Sequence, residues 1–283
     1  MKITGSTELY AVLGNPVRHS MSPVLQNAWI QAHGFKALYV ALPVEPDNFE
    51  VALQGLAASD VCGLNITTPF KERAAAAALR QSDRVKLVGA ANCLTLDRAG
   101  RGYDANNTDG DGLVADLDAR ASDWRERAGQ IVVLGAGGAA RSILAALSAH
   151  SQKPIHVINR DQDRAQQIAN QLNPEQIQVG TWQELPQHLA DASLVINATS
   201  QGLNNQSPFS PDFSPTQPDA VIYDTIYSPR MTAYLESAKA SKRRYFDGLG
   251  MLAGQGALAF QHWFGALPDI RAGLKTLEEA FAG

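Results

Sequence analysis

Cysteine is scarce in this chain. There are two in 283 residues, Cys62 and Cys93, with neither a CxxC pair nor a zinc-binding spacing. That excludes a disulfide scaffold and leaves two free thiols in a reducing compartment as the expectation. The six histidines are scattered without an HxxxH pair, so no metal is expected. Long apolar runs are missing too. No stretch of roughly 18 apolar residues occurs, and the opening MKITGSTELYAVLG lacks the apolar segment of a signal peptide. A cytoplasmic protein without a membrane partner is expected. Basic residues do not accumulate: net charge is −4, pI is near 5.9, and the densest basic run is Lys242-Arg243-Arg244. A nucleic-acid partner is therefore not expected, whereas an anionic metabolite needs only one local basic site. Charged residues make up 18% against 45% apolar, which allows a sizeable core.

What is present is an alternation. Apolar strand-like runs fall at 9–13, 37–44, 61–66, 131–134, 155–158, 194–197 and 221–224. Helical stretches at 23–33, 47–58, 138–150, 164–172 and 232–240 lie between most of them. Strands alternating with helices predict an α/β protein with parallel sheets covered on both faces. The unbroken Ile131-Val132-Val133-Leu134 suits a strand buried on both sides. The pattern restarts near residue 130, after the charged segment 118–127, and the chain after 248 is Gly/Ala-rich and helical. Two α/β domains are expected: residues 1–109 with 250–283, carrying a mainly parallel sheet, and 110–249, a Rossmann dinucleotide-binding domain whose following helices return to the first. The polar stretch 201–219 reads as a long surface loop, and the run Ala74–Ala78 as helix propensity alone.

The segment IVVLGAGGAARSILAAL (131–147) is strand, glycine loop, apolar helix. Gly135, Ala136, Gly137, Gly138 and Ala139 form a G-x-G-x-x-A/G turn that lets backbone N–H groups and a helix N-terminus approach a pyrophosphate. The next strand ends at Asn159-Arg160, with Arg164 beyond. An NAD site usually carries a carboxylate there for the ribose 2′-hydroxyl; two guanidiniums favour a 2′-phosphate, hence NADP. Asp161 and Asp163 work against that preference if either faces inward.

Three clusters of short polar side chains share the ends of predicted strands: GNPVRHSMSP (14–23), NITTPFKE (65–72), and GAAN (89–92) with NNTDG (106–110). In open α/β sheets ligands bind at that edge. Singly, each has a bland reading: Ser20 or Ser22 capping the helix at Pro23, Thr108 or Asp109 capping the next helix, Asn92 in a turn, Lys71 on a surface. Together they can hold a polyhydroxylated acid.

These same motifs, in order with NATSQGL (197–203), DTIYSP (224–229) and DGLGMLAGQGALAF (247–260), resemble the shikimate dehydrogenase family from residue 10 to about 265. The resemblance implies reversible reduction of 3-dehydroshikimate to shikimate by NADPH, in the route to chorismate and aromatic amino acids. It implies Lys71 as catalytic acid/base with Asp109 beside it. Ser20 and Ser22 would bind the substrate carboxylate. Asn65, Thr67, Asn92 and Asp109 would bind ring hydroxyls, with Tyr227 and Gln255 closing from the cofactor side. Gly135 to Ala139 would hold the pyrophosphate, and Asn159, Arg160 and Arg164 the 2′-phosphate. Thr199, Thr225, Gly248 and Met251 would line the nicotinamide side, with Asp83 approaching the cofactor. Four positions depart from the pattern: Asp161 and Cys93 replace threonines, Gln26 a histidine and Thr225 a methionine. Alternatives are a quinate/shikimate or aminoshikimate dehydrogenase with NAD or relaxed cofactor use, a Rossmann transferase binding a different nucleotide, and an idle dinucleotide-binding regulator. Monomer and homodimer are equally compatible with the sequence.

Overall fold

The computed structural model describes residues 2–202 and 209–282. It has strands β1 (Glu8–Gly14), β2 (Ala37–Pro43), β3 (Gly63–Ile66), β4 (Arg80–Gln81), β5 (Cys93–Asp97), β6 (Gly102–Asn106), β7 (Gln130–Leu134), β8 (Ile155–Ile158), β9 (Ile177–Gly180), β10 (Ala192–Asn197), β11 (Val221–Asp224) and β12 (Arg244–Phe246). The helices are α1 (Ser22–Ala32), α2 (Phe49–Ala58), α3 (Lys71–Ala77), α4 (Asp83–Val88), α5 (Asp109–Arg120), α6 (Gly138–His150), α7 (Gln162–Leu172), α8 (Leu185–Leu189), α9 (Ala233–Ala240), α10 (Leu249–Phe264) and α11 (Ile270–Ala282). None is long and apolar enough to cross a membrane. The chain divides into two compact units, Met1–Gly112 with Leu252–Gly283, and Leu113–Met251. The boundaries fall inside α5 and α10.

Unit 1 carries a sheet in the order β2-β1-β3-β5-β6-β4. β1 pairs in parallel with β2 and β3, and β5 alone runs against its neighbours. Side chains along β1 alternate between faces. Ala11 and Leu13 join Leu64, Ile66, Phe49, Phe70 and Leu94 in one core. Tyr10 turns to the other face, 5.2 Å from Trp263 and 4.7 Å from Phe264 of α10 (ring centroids). The chain leaves β1 on one side for β2, then returns to the other side for β3. The gap between the ends of β1 and β3 is thus a topological switch point, where such sheets bind ligands.

Unit 2 is a fully parallel sheet in the order β12-β11-β10-β7-β8-β9. This is the doubly wound dinucleotide-binding order, with its switch point between β7 and β10. Ile131, Val132, Val133 and Leu134 are all fully buried, because each face of β7 is covered. Ile131 and Val133 pack with Ile143, Leu147 and Ile168 on one side, and Val132 and Leu134 with Val195, Tyr234 and Leu235 on the other.

In the charged segment 118–127, Trp124 is buried, its indole donating to Asp118 at 2.8 Å. Two expectations need correction. The polar stretch 201–219, of which 203–208 lie outside the described residues, is not simply a surface loop, because Phe213 is fully buried against Tyr234. The alanine run does more than favour a helix: Ala74 and Ala75 are core.

Candidate functional site

Unit 1 assembles its polar clusters at the switch point. At the end of β1, a Cβ on Gly14 would collide with Thr67 Cγ2, so only glycine lets the loops after β1 and β3 touch. Asn15 N–H donates to the Thr68 carbonyl at 3.0 Å, joining them further. α1 has no side-chain cap at Met21; Ser20 Oγ accepts from the Ser22 N–H at 3.3 Å. Thr67 is half-buried, and Lys71 opens α3 with its side chain 21% exposed.

Lys71 Nζ donates to Asp109 Oδ2 at 2.6 Å. Asp109, nearly buried, is held in turn by Asn92, whose Nδ2 lies 2.8 Å from Asp109 Oδ1, 3.0 Å from Thr108 Oγ1 and 3.2 Å from Gln255 Oε1. Asn92 Oδ1 accepts from the Thr108 N–H at 2.7 Å. Asn65 Nδ2 donates to the Asn92 carbonyl at 3.1 Å. Ser22, Asn65, Asn92, Asp109 and Gln255 are all buried. Such a network in a dry setting fixes each member, because an unmade bond there is costly. Gln255 is thus bonded into the polar cluster of unit 1. Asn107 was missed by sequence reasoning; its Nδ2 donates to the Ala90 carbonyl and its Oδ1 accepts from the Asp109 N–H, clasping the GAAN and NNTDG turns. Asp83 is fully exposed in α4, paired with Lys86 at 3.1 Å.

Unit 2 gathers the cofactor candidates at its own switch point. Gly135 ends β7 at φ +107, a left-handed conformation that only glycine adopts at little cost, and it abuts Thr199. Nothing lies within 4 Å of a Cβ built on Gly137 or Gly138, and α6 begins there with no side-chain cap. The first N–H groups of α6 thus have no side-chain cap, and the turn has room at Gly137 and Gly138 for an anion to approach. Thr199 Oγ1 donates to Asn197 Oδ1 at 2.7 Å, and Asn197 Nδ2 to Asp224 Oδ1 at 3.0 Å. Asp224 also accepts from Thr232 Oγ1 at 2.6 Å, and burial pushes its carboxyl up to about 6. Thr225 N–H donates to the Asn197 carbonyl, and the Gly248 N–H to the Ile226 carbonyl. Asn197 and Asp224 hold the two loops together; the NATS and DTIY segments contained them, but their roles were not legible. Met251 packs in the unit 2 core, and Tyr227 is half-buried. Asn159 Nδ2 donates to the Asp161 carbonyl, and Arg160 and Arg164 are exposed. Asp161 caps α7, its Oδ1 accepting from the Arg164 N–H at 3.0 Å.

Three family models match the chain: the shikimate dehydrogenase substrate binding domain over 12–94, shikimate / quinate 5-dehydrogenase over 119–205, and the shikimate 5'-dehydrogenase C-terminal domain over 248–278. A shikimate dehydrogenase (NADP(+)) of Rhodospirillum rubrum is 40% identical over 97% of this chain and 98% of its own. The chain belongs to the shikimate dehydrogenase family. Solved members of the shikimate dehydrogenase family share its fold. The Aquifex aeolicus enzyme superposes with a TM-score of 0.87 at 31% identity, covering 98% of this chain and 99% of that one. The Thermus thermophilus enzyme, solved in complex with NADP(H) and shikimate, gives 0.84 at 30% identity over 96% and 99%.

Proposed function

We propose that this protein catalyses the reversible NADPH-linked reduction of 3-dehydroshikimate to shikimate, with Lys71 as acid/base. The single observation that carries the reading is the Lys71–Asp109 pair at 2.6 Å, tied through Asn92 to Gln255 and Asn65. NADP(H), when bound, supplies or accepts the hydride. Gly135 to Ala139 with the uncapped start of α6 would hold its pyrophosphate, and Arg160 and Arg164 its 2′-phosphate. Thr199, Thr225, Gly248, Met251 and Tyr227 are proposed for the nicotinamide side.

The chain's own residues have three tasks. Ser20 and Ser22 bind the substrate carboxylate through hydroxyl donors. Asn65, Thr67, Asn92, Asp109 and Gln255 bind and orient the ring. Lys71 Nζ gives a proton to the ring oxygen as the carbonyl is reduced, and takes it back when the alcohol is oxidised; solvent restores the balance. Asp109 keeps that nitrogen in one place, and positioned proton transfer typically contributes about 10²–10⁴-fold. Lys71→Ala should lose about 10³-fold in kcat while NADP+ binding, followed by fluorescence or calorimetry, stays near wild type. A Lys71→Ala enzyme with near-normal kcat would reject the role. Assaying shikimate and quinate, each with NADP+ and NAD+, decides between the proposed specificity and the quinate or NAD alternatives.

A further inference from the structure

A phenol that no step of this chemistry uses lies among the substrate residues of unit 1. Tyr39 is in the middle of β2, 1% exposed, and its hydroxyl donates to Asn65 Oδ1 at 2.7 Å. β2 and β3 are not neighbours in the sheet; β1 lies between them. The register explains the reach: Tyr39 and Gly63 both pair with Tyr10 of β1, and Asn65 lies two residues past Gly63 on the same face. The Trp263 indole fills the space over Gly63, and the phenol crosses the width of β1 to reach Asn65.

We infer that Tyr39 is a positioning residue for substrate: its hydroxyl sets the orientation of the Asn65 carboxamide. The carboxamide has a carbonyl held by a donor, Tyr39, and an amino group held by an acceptor, the Asn92 carbonyl. A half-turn about its terminal bond would set oxygen against oxygen at Asn92. One N–H of Asn65 is left over from these bonds, and that donor is what Asn65 offers a ring hydroxyl. Tyr39 itself cannot drift. Its backbone N–H donates to Asn27 Oδ1 at 2.9 Å, and its carbonyl accepts from Asn27 Nδ2 at 2.8 Å.

The role rests on the proposed function, and it is tested by a double-mutant cycle on the full chain. Tyr39→Phe keeps the ring and its packing, and wild-type NADP+ binding checks that it folds. Oxidation of shikimate by Tyr39→Phe should show KM for shikimate raised about tenfold, the worth of one well-placed hydrogen bond. KM for NADP+ and the pH profile of kcat should not move, since the Lys71–Asp109 pair is untouched. In an Asn65→Ala background, Tyr39→Phe should add nothing to KM. An unchanged KM in Tyr39→Phe, or penalties that simply multiply in the double variant, would overturn the role. A wild-type enzyme inert toward shikimate with both cofactors would instead overturn the proposed function, and this role with it.

Discussion

At the scale of single residues, Asp161 shows how one side chain can serve structure while bearing on specificity. It replaces the threonine usual after the Asn-Arg pair of the family motif, and it caps α7 through the Arg164 N–H. A cap of this kind is worth about 1 kcal/mol. A threonine can make the same bond without charge, so capping does not require the carboxylate. Arg160 and Arg164 are exposed beside it, and neither guanidinium has a hydrogen-bond or ion-pair partner among the described residues. Losing a charge-assisted contact to a phosphate costs about 10–100-fold. Arg160→Ala should raise KM for NADP+ by that order and leave KM for NAD+ unchanged. Asp161→Thr should keep α7 capped and raise the ratio of NADP+ to NAD+ efficiency by about fivefold, the worth of one nearby exposed charge. Steady-state kinetics with both cofactors checks each, and an Arg160→Ala enzyme equally impaired with NAD+ would contradict the assignment.

At the scale of elements, two helix glycines separate propensity from packing. Gly55 is inside α2, exposed, with nothing within 4 Å of an added Cβ. Gly55→Ala should stabilise by about 0.5–1 kcal/mol, because the unfolded chain loses freedom and the helix loses nothing. Gly254 lies in α10, where a Cβ would run into the Gly112 carbonyl of α5. Gly254→Ala should destabilise by about 1–3 kcal/mol and raise KM for shikimate, since Gln255 is the next residue. Urea unfolding with steady-state kinetics separates the two, and equal effects would refute the packing argument. The same contrast explains what the sequence disclosed. β7, β8 and β11 were legible because both faces of a parallel sheet are covered, so their apolar runs are continuous. β5 and β6 were not, because they form a hairpin with polar positions such as Thr95, Asp97 and Asp104. Lys71, Asn92 and Asp109 were legible as motif members, and their bonding to one another came only from the fold. Tyr39 reads in sequence as one aromatic of an ordinary strand, since nothing local reveals a reach across β1.

At the scale of a whole folded unit, two buried groups of unit 2 give its stability opposite responses to pH. His156 of β8 is buried with its ring 4.3 Å from that of His188, and burial, then the neighbouring ring, lowers its pKa below 6.5. The native state therefore refuses a proton that the unfolded chain accepts. Its stabilising contribution is full above 6.5 and is lost as pH falls toward the lowered native value. Asp224 behaves oppositely. Burial raises it from 3.8 to about 6, so the native state binds a proton more readily than the unfolded chain. Its contribution is full below 3.8 and disappears as pH rises through about 6, a difference on the order of 3 kcal/mol. Below about pH 6, where the two windows overlap, the two slopes oppose each other in wild-type unit 2. Asp224→Asn leaves His156 unopposed, so hydrogen-exchange protection in β8 and β10, corrected for intrinsic rates, should fall as the solution is acidified below about 6.5. His156→Gln leaves Asp224 unopposed, so protection should rise through the same interval. Parallel profiles for the two variants would mean that neither group titrates as its surroundings require.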